Sequence, residues 1–172
     1  MTEFKSDLDL KLRSSGLDPS SYSSRSQYEE HLLEQYKLFV EMADRISARR
    51  QSANAFFLSV NTALVGIVTY VGLAPEPGGS GGSRWLVALA GIVLSYMWYR
   101  LIRSYRDLNT GKFKVIHAIE RLLPLSPYDA EWEAVGRGKN KKLYLPFTHI
   151  EVGVPWVFVA LHSAVILRAL MA

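Results

Sequence analysis

Apolar positions along the chain follow two different rules. Leu32, Leu33, Tyr36, Phe39, Val40, Ala43 and Ile46 recur every three or four residues, with charged residues between them. That period predicts a helix with one buried stripe, over residues 27–52, opened by a capping box at Ser26 and Glu29. From 53 to 74 the rule changes: ANAFFLSVNTALVGIVTYVGLA carries no charge on any side. At about 1.5 Å per residue this run covers about 33 Å, enough for a hydrocarbon core of about 30 Å. It reads as a first transmembrane helix, and with no Pro or Gly between residue 27 and Gly66 the preceding helix runs into it unbroken.

Polar side chains interrupt this span, and inside a membrane they seek protein or water rather than lipid. Asn54 and Asn61 lie seven residues apart on one face. Ala55, Ser59, Thr62, Gly66 and Thr69 step by four and three along an adjacent face of small residues. Asn54, Ser59, Asn61 and Thr62 are therefore the candidates either for helix packing or for lining a wet pore. Both uses require other helices, so self-association is expected.

Beyond a Pro/Gly/Ser turn at 75–84, residues 85–103 form the returning span, with Ala88, Gly91 and Ser95 as a small face for the first helix. Residues 104–147 are expected to be cytosolic helices and a basic loop, with a break at Asn109-Thr110-Gly111 and a short helix from Pro127 to Val135, N-capped by Ser126 and stopped by Gly136. The last block, 148–172, is a third membrane-associated segment. Thr148 and Glu151 fit a capping box there, and Pro155 marks a kink or a fresh helix start. Its pattern fits both a third span and a re-entrant or interfacial helix. The fold class is thus an all-α integral membrane protein: long cytosolic-to-membrane helices, a two-span hairpin and a third membrane-embedded or interfacial helix.

Composition refines this pattern in two places. The mean hydropathy of +0.06 averages apolar blocks with charged ones, and the net charge of +4 sits beside the apolar segments. Arg45, Arg49 and Arg50 precede the first span, Arg100 and Arg103 follow the second, and Lys139, Lys141 and Lys142 fill the basic loop. This excess puts the amino terminus on the cytoplasmic side and makes these cations candidates for contact with anionic lipid headgroups, ahead of nucleic acid. Residues 1–26 begin with acids and lack an apolar core, so they are expected to be a flexible cytosolic arm rather than a signal peptide.

Candidate chemistry is sparse. The chain has no cysteine, which excludes thiolate catalysis and Cys-ligated zinc. His31, His117, His149 and His162 fall in four different segments without metal-ligand spacing, and GGSGG at 78–82 lacks the Lys and Ser/Thr of a phosphate loop. No enzyme, cofactor or metal is expected.

The entry Arg49-Arg50-Gln51-Ser52-Ala53-Asn54, the run Tyr105 to Asn109 and Glu151 with Pro155 resemble the RipA family of small octameric bacterial membrane proteins, over residues 27 to 165. In organisation the chain is also similar to two-span effector modules of bacterial antiphage systems. The resemblance implies a homo-oligomeric, octameric ring in the bacterial inner membrane. Three functions fit such a ring: a pore or conduit, a scaffold that recruits a cytosolic protein or supports envelope homeostasis, and a membrane-perturbing defence effector.

Overall fold

The computed structural model describes residues 8, 10–12, 19–73, 81–139, 143–144 and 147–171, and among them there are helices and turns but no strand. Helix α1 runs from Arg25 to Leu73 and α2 from Gly81 to Glu120. A short α3 covers Pro127–Ala134, a single turn α4 covers Thr148–Glu151, and α5 covers Val154–Met171. Helix α1, with 49 residues, is about 73 Å long, and it is continuous as its lack of Pro and early Gly requires. Contacts divide the chain into two units: residues 1–47 with 107–145, and residues 48–106 with 146–172.

In the first unit the start of α1 differs from the expected cap. The hydroxyl of Ser24, not Ser26, accepts the Gln27 N–H at 3.2 Å. Tyr22 explains the shift, because its ring packs edge-on against Tyr28 at 5.3 Å and His31 at 5.5 Å and fixes the turn just ahead of Ser24. The expected break at 109–111 is absent: α2 passes through Gly111. A helical glycine costs only about 1 kcal/mol. Here the packing on its carboxyl side outweighs that cost, since Ile116, Ala118 and Ile119 are buried and Lys112 lies 4.4 Å from the centre of the Phe39 ring.

The second unit contains the later half of α1, the first part of α2, and α4 with α5. Among the described residues three helices are long and apolar enough to cross a membrane. On α5, Trp156 meets Tyr99, Phe158 meets Trp98, and His162 meets Gly91. Ascending positions on α5 thus face descending positions on α2, so α5 runs antiparallel to that span. Pro155 stands at the start of a new helix after the bend at 152–153, where its missing N–H costs nothing. The 75–84 turn lies outside the described residues up to 80, and 81–84 already belong to α2. Phe56, Leu58, Ile67, Leu86, Val93, Val157 and Leu161 stay exposed, as lipid-facing side chains do.

Candidate functional site

Asn54 ties α1 to both α2 and α4 in the second unit. Its Nδ2 donates to Glu151 Oε1 at 2.9 Å, and its Oδ1 accepts the Trp98 indole N–H at 2.8 Å. Glu151, buried at the end of α4, also lies 3.6 Å from Arg50, one turn before Asn54, while its Oε2 has no hydrogen bond among the described residues. Trp98 carries the layer inward, stacked on Phe57 at 6.0 Å and set against Phe158 at 6.2 Å. An indole, an amide and a carboxylate thus close the entry to the bundle.

Two turns deeper, Asn61 is fully buried. Its Nδ2 donates to its own helix at Phe57 O, 2.9 Å away, and its Oδ1 accepts the Ser95 hydroxyl at 2.8 Å. Ser95 and Ala88 are fully buried, and through Ser95 the small face of α2 does meet α1. Gly91 between them meets α5 instead. A Cβ built on Gly91 would lie 2.2 Å from Nε2 of His162, so the imidazole lies directly on the bare backbone, which a side chain there would displace. His162 is fully buried, and neither of its ring nitrogens finds a hydrogen bond among the described residues.

The other expected residues take different places. Ser59 and Thr62 are exposed, as are Ala55, Gly66 and Thr69, so the whole small-residue face of α1 points away from the seam that holds Asn54 and Asn61. The hydroxyls of Thr62 and Thr69 donate to carbonyls one turn back, Leu58 O and Val65 O, both at 2.8 Å. Arg45 is exposed and pairs with Glu41 at 2.7 Å; Arg49 is exposed. Arg50 is half-buried and lies 3.6 Å from Glu151. Exposed Arg100 and Arg103 reach Tyr96 and Tyr99 on their own helix. Lys139 is exposed, and Lys141 and Lys142 lie outside the described residues.

Sequence reading missed the hub of the first unit. Glu120, fully buried at the end of α2, receives the Tyr36 hydroxyl at 3.0 Å and the Tyr128 N–H at 2.9 Å on Oε1. The Asp129 N–H reaches its Oε2 at 3.2 Å, and His117 Nδ1 lies 3.4 Å away. A carboxylate from one helix thus caps the first turn of the next, where unsatisfied N–H groups and the helix dipole favour negative charge. Ser126, expected as that cap, instead donates its hydroxyl to Glu120 O at 3.3 Å. The Tyr36 hydroxyl is pushed up to about 12, first by burial and then by its bond to Glu120 and the carboxylate's charge. Tyr128 is also raised, by burial and then by the negative charge of Asp44. The one available signal was an acid closing the apolar run KVIHAIE just before Ser126-Pro127.

Among the described residues no three His, Asp or Glu side chains converge to hold a metal ion. Three apolar helices, α1 and α2 joined through buried amide, hydroxyl and indole groups and α5 packed on α2 through its rings and His162, define a helical integral membrane protein. The chain belongs to the octameric membrane protein family (8xMP), whose family model matches residues 33–171. No curated protein and no solved structure matches it. Family membership makes the protein a homo-oligomeric membrane assembly.

Proposed function

We propose that the assembly is a ring whose axis conducts small solutes across the bacterial inner membrane, with the exposed small face of α1 turned toward that axis. The observation that carries this reading is the division of polar groups in the first span. Asn54 and Asn61 are bonded within the protomer, whereas Ala55, Ser59, Thr62, Gly66 and Thr69 are exposed on the outside of it. Lipid gains nothing from hydroxyls and bare backbone, so this face belongs against water or protein.

In this reading the cations at Arg45, Arg49, Arg100, Arg103 and Lys139 put the amino terminus in the cytoplasm and hold anionic headgroups. The chain then crosses three times, and the end of α5 lies outside. Kinship with the RipA proteins specifically rests on the Arg49 to Asn54 entry and on Glu151, which meet in one cluster. No catalytic step is involved.

A second reading, a sealed scaffold that recruits a cytosolic protein, is favoured by one observation. The Thr62 and Thr69 hydroxyls are already satisfied by their own helix and tolerate a dry contact between copies. Proteoliposomes separate the two: a conduit releases a trapped small dye at a rate that Gly66→Leu lowers at least tenfold, whereas a scaffold releases none above protein-free vesicles.

A further inference from the structure

The first unit exposes large apolar side chains although it lies outside the spans. On α1, Leu38 is 58% exposed and Met42 42%. Exposed Lys37, Glu41 and Arg45 flank them with charge, beside exposed Gln35. An apolar centre with a polar rim of both signs is the composition of a protein contact, and charges of both signs exclude hydrocarbon as its cover.

A second apolar surface belongs to α3 and the turn before it, where Leu125 is 77% exposed and Trp132 38%. The two surfaces lie on different sides of the unit. Tyr36 of α1 and the Tyr128 N–H of α3 both donate to Glu120 Oε1, at 3.0 Å and 2.9 Å, so α3 lies toward the side of α1 that carries Tyr36. Leu38 is two residues from Tyr36, about 200° around the helix, and Met42 is six, about 240°, at about 100° per residue. Leu38 and Met42 therefore face away from α3.

A homo-oligomer closed as a ring by head-to-tail contacts needs two different surfaces on each copy, each filling the other on its neighbour. We propose that the Leu38 and Met42 surface of one copy docks on the Leu125 and Trp132 surface of the next, so that the cytosolic units close the ring. This rests on the self-association of the family, not on conduction through the axis. It also gives α3 and its Glu120 cap a purpose, because the cap holds Leu125 and Trp132 in place for the neighbouring copy.

The absence of cysteine makes the test direct. Leu38→Cys with Leu125→Cys in one chain, oxidised in native membranes, is expected to give a ladder of disulfide-linked species up to the full ring. Either single variant is expected to stay monomeric on denaturing gels. No ladder from the pair, or dimers from Leu38→Cys alone, would overturn the head-to-tail contact. Independently, Met42→Glu is expected to cut the oligomer fraction in native mass spectrometry at least tenfold while circular dichroism keeps its helical content; an intact oligomer would also overturn it. Loss of dye release with the ladder intact would count against the conduit alone.

Discussion

The two buried carboxylates, Glu120 in the first unit and Glu151 in the second, are held in opposite ways. Glu120 takes donors on both oxygens: two backbone N–H groups and a tyrosine hydroxyl, with a histidine nitrogen close by. Glu151 takes one amide on Oε1, and among the described residues its Oε2 has no hydrogen bond and lies 3.6 Å from Arg50. The first unit is thus locked by a saturated cap. The second relies on shape, with a bare glycine under an imidazole and stacked aromatic rings doing most of the positioning. In a membrane, where apolar side chains gain little by leaving lipid for one another, close approach of backbones is what joins helices.

Five substitutions probe this contrast, from the largest expected effect on protomer stability to the smallest. Glu120→Ala strands the donors that the carboxylate now accepts and should cost about 3 kcal/mol or more, since hydrogen bonds to charged groups contribute about 1.5–3 kcal/mol each and unpaired buried donors add their desolvation. Denaturant melts of the purified protein would show it, and the matching Glu151→Ala should cost clearly less; equal losses would erase the contrast. Gly91→Ala drives a methyl into the His162 ring and should cost about 1–3 kcal/mol, as overpacked cores do. Its signature is greater protease access to α5 with the first unit unaffected.

Tyr36→Phe removes one donor from Glu120 and should cost about 1 kcal/mol at neutral pH. It also carries a pH signature. The folded state holds the Tyr36 proton up to about 12, against the ordinary 10.0, so the contribution is complete below pH 10 and is lost as pH rises through 12. Stability of the native chain should fall more steeply over that window than that of Tyr36→Phe, and parallel curves would contradict the bond. Gly66→Leu comes last: a Cβ there meets nothing within 4 Å in the protomer, so melts should move by no more than about 0.5 kcal/mol. Its consequence belongs to the assembly and appears in dye release.

Much of the architecture was legible because membrane helices announce themselves by length and lack of charge. The unbroken α1, the helix boundary at Pro155 and the contact of Ser95 with α1 follow from spacing and side-chain size, whereas Gly91, expected against α1, meets α5. Tertiary contacts decided what spacing left open. Tyr22 moved the first cap to Ser24, packing around Ile116 carried α2 through Gly111, and Glu120 replaced Ser126 at α3. The pairing of His162 with Gly91 was unreadable, because it joins residues 71 positions apart whose separate roles, a lone histidine and a small residue, are each commonplace. Asn54 and Asn61 were recognised as special, but periodicity alone does not say whether such residues face a neighbouring helix or water.

The most direct test of the conduit is the water accessibility of the small face in intact membranes. Ser59→Cys and Ile67→Cys, each the only thiol in its chain, would be exposed to a charged, membrane-impermeant thiol reagent. Labelling of Ser59→Cys together with a block of dye release, and no labelling of lipid-facing Ile67→Cys, is the predicted result. Ser59→Cys that stays as unreactive as Ile67→Cys would contradict it.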